Sequence, residues 1–85
     1  MNDKSLYSNA AEAIVKAQEA IIGPLAHDIA DKVVGIDNPD KKVLGELVKR
    51  YESVFGQASV ETCKDAIKSL LAKSEKDIDL PEILQ

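Results

Sequence analysis

The sequence is poor in residues that carry metal and redox chemistry. Cys63 is the only cysteine, and there is no tryptophan. The chain therefore forms no internal disulfide and offers no cysteine cage for a metal. No apolar run approaches the roughly 18 residues that a membrane span needs, and residues 1–13 contain no apolar signal core. These absences predict a cytoplasmic protein with no membrane segment, no metal and no cofactor.

Positive charge is also in deficit. Eleven basic residues stand against 15 acidic ones, for a net charge of −4. Nucleic acid and anionic membranes attract a positive surface, so both are disfavoured as partners. The hydrophobic fraction of 45% and the charged fraction of 31% are typical of a globular domain. A single small domain of 85 residues buries only about 60% of its unfolded surface, which favours added stability through self-association.

Apolar residues recur at spacings of three and four, which is the period of an amphipathic helix and not of a strand. We therefore expect an all-α fold, a compact bundle of four helices within residues 1–74, followed by a tail at 75–85. A capping box at Asn9 offers a later start for the first helix, but Leu6 extends the apolar stripe and favours the earlier one. The predicted helices are Asp3–Ile22, Pro24–Val34, Pro39–Phe55 and Val60–Ser74.

Gly23 and Pro24 interrupt this pattern inside the run AIIGPLAHDIA. Proline inside a helix removes a backbone hydrogen bond and costs about 3 kcal/mol, whereas at the first position of a new helix it costs almost nothing. Glycine before it can adopt the non-helical angles of a cap. The pair predicts a structural corner between the first two helices. A single kinked helix is the alternative.

The second predicted helix carries an apolar face over about half of its circumference, which includes Leu25, Ile29 and Val33. A face this wide predicts the most buried helix of the protein, packed in its own bundle or against another chain.

Glycines and cap residues set the other predicted boundaries. Gly35 is expected to end the second helix, and Asn38 to cap the third. Gly56 is expected to end the third helix, and Ser59 to cap the fourth. The third and fourth helices should then form an antiparallel hairpin.

The tail reads EKDIDLPEILQ and has two interpretations. Pro81 biases Leu80 toward an extended conformation. Ile78 and Leu80 then point the same way, followed by Ile83 and Leu84. The segment is either a frayed or docked C-terminus or a short peptide that inserts into a partner or a neighbouring copy.

Neither His27 nor Cys63 has a neighbouring residue in the sequence that could act with it in catalysis. General acid–base and nucleophilic catalysis each need a second positioned group, and the surrounding sequence supplies none. His27 is expected to pair with Asp31 on the helix surface. Cys63 lies on the apolar stripe of the fourth helix and is expected in the core. The acidic loop after Gly35 fails the spacing of a calcium-binding EF-hand. The sequence thus predicts no enzyme.

Residues 51–73 also fit a helix-turn-helix with Gly56 in the turn. Glu61 and Asp65 share the exposed face of its second helix with the lysines, which argues against DNA. DNA binding is nevertheless one alternative function, and a small-molecule carrier with a pocket between the second and third helices is another. The lysines of that face are Lys64, Lys68 and Lys73.

The stretch AIIGPLAHDIADKVV resembles an uncharacterised small helical module with a Gly-Pro-(Ile/Leu)-Ala signature. In bacterial signalling proteins that module accompanies kinase, response-regulator or roadblock-type domains. The resemblance covers roughly residues 10–72, and Gly23, Pro24, Leu25 and Ala26 carry its specificity. It implies an interaction or regulatory element.

These features together predict a cytoplasmic protein–protein interaction or regulatory module without catalytic activity, which self-associates as a homodimer. Its partners are expected to be proteins. The candidate interaction residues are the apolar ones of the second helix and the tail: Leu25, Ile29, Val33, Ile78, Leu80, Ile83 and Leu84.

Overall fold

The computed structural model describes residues 3–74 and 78–85. Over these residues it confirms the all-α, four-helix fold and contains no strand. The first helix begins at the earlier of its two predicted starts. The elements are α1 (Asp3–Ile22), α2 (Leu25–Asp31), α3 (Lys41–Phe55), α4 (Gln57–Ser74) and a 3-10 turn at Glu82–Leu84.

The corner between α1 and α2 is confirmed. Gly23 has a φ of 71°, a left-handed conformation that favours glycine. Its amide still donates to the carbonyl of Glu19 at 2.8 Å, which completes the last turn of α1. Ala26 then donates to the Gly23 carbonyl at 3.1 Å and His27 to the Pro24 carbonyl at 3.0 Å. Pro24 is therefore the N-cap of a new helix that begins at Leu25, and α2 folds back to contact α1.

The predicted end of α2 at Val34 is wrong. The helix ends at Asp31, because the following amides bond three residues back: Lys32 to the Ile29 carbonyl at 3.2 Å and Val33 to the Ala30 carbonyl at 3.0 Å. This tightening is common at helix ends. Val34 lies beyond it and is 92% exposed.

By the share of residues buried, the second helix ranks above the third, with three of seven against five of fifteen, yet it does not dominate the core. Leu25 of α2 is 45% exposed, and the side chains that α2 buries are mostly small. The third helix instead supplies the largest set of core side chains with no exposure, which are Leu44, Leu47, Val48 and Tyr51.

Two predicted caps are replaced by neighbouring groups. Asp40, not Asn38, caps α3, because its Oδ1 accepts a hydrogen bond from the Val43 amide at 2.9 Å. At the next boundary Gly56, with φ 83°, ends α3, and α4 begins at once at Gln57. Ser59 therefore lies inside α4, where its Oγ donates to the Gly56 carbonyl at 2.9 Å.

The core is formed mainly where α1 and α3 pack against α4. Gln18 of α1 is buried in this interface, with 1% exposure. Its Nε2 donates to the Ser59 carbonyl at 2.9 Å and to the Cys63 Sγ at 3.3 Å. By their spacing, Ala17 and Ile21 continue the apolar stripe that begins at Leu6, but the buried face of α1 is turned toward Gln18. Buried polar groups need partners, so this side chain fixes the register of α1 on α4.

The tail packs on α3 and α4 over residues 78–85. Leu84 is 5% exposed and belongs to the core. Asp79 makes two contacts with the body: its carbonyl accepts from the Tyr7 hydroxyl at 2.6 Å, and its Oδ2 pairs with the Lys41 ammonium at 3.0 Å. The described part of the tail is thus docked in cis. Residues 75–77 of the predicted tail lie outside the described residues.

Gly45 of α3 makes room for the tail. A Cβ added there would lie 3.2 Å from the Pro81 Cβ, closer than ordinary carbon contacts. Gly45→Ala should gain about 1 kcal/mol of helix propensity but push Pro81 away. We expect faster amide hydrogen exchange at Leu84, whose amide bonds to the Pro81 carbonyl at 2.9 Å.

The control is Ser53→Ala, an exposed position of the same helix. It should gain helix propensity and leave the exchange at Leu84 unchanged. If Gly45→Ala gave the full propensity gain with the same exchange rate as the parent, the close fit of Pro81 on Gly45 would be refuted.

Candidate interaction surfaces

The residues best suited to chemistry do not gather into one site. His27 pairs across the corner with Glu19, Nε2 to Oε2 at 3.0 Å, and not with Asp31 as predicted. Cys63 is buried, as expected from its place on the α4 stripe. Across the described residues, no three His, Cys, Asp or Glu side chains lie close enough to hold a metal ion.

The Cys63 thiol is held in its protonated form by its surroundings. Burial raises its pKa, and the hydrogen bond from Gln18 opposes that effect only in part. A thiolate is the nucleophilic form of cysteine. A thiol with no solvent exposure and a raised pKa therefore supports packing and not reactivity.

Tyr51 ties α3 to α2 near the corner. Its hydroxyl donates to the Ala26 carbonyl at 2.7 Å, and the side chain has no solvent exposure. Burial raises the pKa of this phenol to about 12, with smaller contributions from Cys63 and Asp31. The ring and its hydrogen bond thus hold the first turn of α2 against α3.

An exposed apolar surface lies at the corner end of the protein. A cavity of about 180 Å³ there includes Ile21, Ile22 and Phe55 in its lining. Ile21 is 66% exposed, and Leu25 on the other side of Gly23-Pro24 is 45% exposed. We call Ile21, Ile22, Leu25 and Phe55 the corner patch. By their spacing, two of its members, Ile21 and Phe55, belong to the apolar stripes of α1 and α3.

A second surface is a groove of about 510 Å³ between α1, α2 and the loop that follows α2. We call it the α1–α2 groove. Its floor is apolar and is buried or half-buried, whereas its rim is exposed and mostly acidic. The floor consists of Ala11, Val15, Ala30, Ile36 and Pro39, and the acidic rim of Glu12, Glu19, Asp31 and Asp37.

A third groove of about 820 Å³ separates α3 from the tail. Lysines and carboxylates both line it, and the Lys41–Asp79 ion pair links its two walls. Pro81 and Ile83 already occupy one side. The chain's own docked tail therefore forms one wall of this groove.

The predicted interaction residues are scattered between core and surface. Leu25 alone among them is exposed. Ile29, Val33 and Leu84 are core residues, because α2 turns its inner face to the bundle and the tail docks, so this structure does not present them to a partner. Ile78, Leu80 and Ile83 are partly buried against the core.

Helical periodicity in the sequence does not reveal the α1–α2 groove, the groove between α3 and the tail, or most of the corner patch. Ile21 and Val54 are exposed although both lie on apolar stripes of their helices. Periodicity does not show which residues of a stripe extend beyond the neighbouring helix and stay exposed. The apolar floor residues of the groove come from α1, α2 and the following loop, and on α1 they alternate with charged rim residues. That mixture carries no periodic signal of its own.

The raised pKa of Tyr51 predicts alkaline destabilisation. The unfolded phenol loses its proton near pH 10 and the folded one at about 12. The native state thus binds the proton more tightly, so this contribution is complete below pH 10 and is lost as pH rises toward 12. We expect a loss on the order of 2 kcal/mol, measured by denaturant unfolding against pH and absent in Tyr51→Phe.

Tyr7→Phe provides a direct readout, because Tyr51 is then the only tyrosine. Its tyrosinate absorbance should appear well above pH 10 while the chain is folded and near pH 10 in denaturant. The same midpoint in both states would contradict the buried hydrogen bond.

Among the described residues, no helix is both long and apolar enough to cross a bilayer. Comparison of the chain with family models, curated proteins and solved structures gave no match. The surfaces described above therefore carry the functional argument.

Proposed function

We propose that this chain is a protein–protein interaction or regulatory module without catalytic activity, and that it self-associates through the corner patch. The observation that carries the proposal is the exposure of Ile21 and Leu25 on either side of Gly23-Pro24. Ile21 lines a cavity together with Ile22 and Phe55, and Leu25 follows four residues later in the chain, beyond the corner. Apolar side chains clustered in this way favour a protein partner.

The energetics support a homodimer. Fully burying a leucine or isoleucine side chain contributes roughly 1.5–3 kcal/mol. In a dimer with a twofold axis through the patch, the patch residues of both copies are buried, so each one contributes twice to the interface. Four such side chains per copy make a small interface. We therefore expect association in the micromolar range rather than an obligate dimer.

The chemistry of the side chains supports a non-catalytic role. His27 has one carboxylate partner on an exposed surface, and Cys63 is buried. A free buried thiol fits the reducing cytoplasm, which is where we place the protein. The Gly-Pro-Leu-Ala resemblance extends the proposal to bacterial signalling. DNA binding and small-molecule carriage gain no specific support from these surfaces.

Ile21→Ser combined with Leu25→Ser should weaken self-association by about tenfold or more, because each change removes apolar area from the interface. Sedimentation velocity over a micromolar concentration series measures this. Val34→Ser is the matched control, since Val34 is 92% exposed but lies outside the corner patch. It should leave the dimer unchanged.

Circular dichroism must show the same helix content in both variants. A parent chain that sediments as a 9.2 kDa monomer at every concentration would refute self-association. Equal effects of the two variants would refute the corner patch as its site.

A further inference from the structure

The α1–α2 groove has the dimensions of a helix-binding site. Its α1 wall runs from Ser8 to Glu19 along one helical face, which is about 16 Å at 1.5 Å per residue, or three turns. The opposite wall comes from α2 and the loop at Ile36–Pro39. Ala11 and Ala30, 6% and 5% exposed, lie in the floor. Their methyl groups keep the groove open where larger side chains would fill it.

The rim of this groove is strongly acidic. Four carboxylates line it, against one lysine and one histidine. Lys16 pairs with Glu12 at 3.5 Å, and His27 pairs with Glu19 at 3.0 Å. Asp31 and Asp37 have no ion-pair partner among the described residues. Two uncompensated negative charges thus lie beside an apolar floor.

We propose that the α1–α2 groove binds a basic amphipathic helix of a partner protein. The apolar face of that helix packs on Ala11, Val15 and Ile36, and its lysine or arginine side chains pair with Asp31 and Asp37. This is the helix-in-groove mode, in which anchors repeat at three and four residues along the ligand. The inference names a partner for the interaction module proposed above but uses a different surface.

The negative charge of the rim favours one class of ligand for the α1–α2 groove over the others. A second copy of this chain carries a net charge of −4, and the acidic rim repels it. The chain's own tail presents Asp79 and Glu82 and is already docked on α3. An apolar segment without charge would leave Asp31 and Asp37 without ion-pair partners. A basic helix satisfies both the floor and the rim, and opposite charge also speeds its association.

The test uses a fluorescein-labelled peptide of leucine, alanine and lysine, patterned as a helix with one apolar and one lysine face, and the full chain at low salt. Anisotropy should show saturable binding that weakens as salt rises. Asp31→Asn combined with Asp37→Asn should weaken binding about fivefold, as expected for two partly exposed ion pairs. Asp28→Asn combined with Asp65→Asn removes the same charge outside the groove and should change affinity less than twofold.

A peptide of the same composition in scrambled order separates groove binding from general attraction between opposite charges. It should bind about tenfold or more weakly than the amphipathic peptide, because it cannot bury an apolar face. In nitrogen-15 NMR spectra, the amphipathic peptide should shift the amides of Ala11, Val15, Ala30 and Ile36.

Three results would overturn the inference. These are equal binding of the two peptides, equal losses in the two double variants, and shifts centred on Ile21 and Phe55 instead of the groove. Failure here is distinguishable from failure of the proposed self-association. Sedimentation of the unliganded chain reports on the corner patch alone, and Ile21→Ser combined with Leu25→Ser should still bind the peptide.

Discussion

A helix of L-amino acids does not continue undisturbed through a glycine in the left-handed conformation followed by a proline without an amide proton. That backbone constraint at Gly23-Pro24 determines the rest of the arrangement. It stops α1 while Ile21 is still exposed, and it starts α2 on a path that returns along α1. Tyr51 then fixes the result, because its hydroxyl holds the Ala26 carbonyl at the first turn of α2. Both candidate surfaces lie next to this corner.

The core achieves specificity with small side chains and one buried amide. Alanine contributes little apolar area, so close approach of α1 to its neighbours stabilises the fold less than it would with larger residues. Gln18 adds directional contacts to Ser59 and Cys63 across the α1–α4 interface. Within the described residues, no buried side-chain nitrogen or oxygen is left without a hydrogen bond. A shifted register would leave that amide unpaired, which is costly in a buried interface.

The sequence was sufficient for the number of helices and for the breaks at Gly23 and Gly56, because those signals are local, but not for Gly35, which lies beyond the end of α2 at Asp31. Gly23 and Gly56 both have positive φ values and both end helices. It was insufficient where two local signals compete. Asn38 and Asp40 are equally good caps, and Pro39 between them favours the first. The structure uses Asp40, while the Asn38 amide bonds back to the Gly35 carbonyl at 3.0 Å.

The candidate surfaces were still less predictable, because an apolar residue is exposed only where no other part of the chain packs on it. Val54 and Cys63 both fit apolar stripes by spacing, yet one is 59% exposed and the other is fully buried. Gln18 is polar, so a search for apolar spacing does not identify it as a buried residue. Only the packing of whole helices decides which end of a stripe is covered. That information is spread over residues far apart in the chain.

The last turn of α1 joins the two surfaces. Glu19 lies on the rim of the α1–α2 groove, and Ile21 belongs to the corner patch. The Glu19–His27 ion pair bridges the corner between them. If both proposals hold, a ligand in the groove would contact the same turn that a second copy would cover. If such a ligand changes the affinity of self-association by some factor, self-association must change the affinity for the ligand by the same factor. The corner would then couple the two proposed binding events, because both surfaces include residues of this turn.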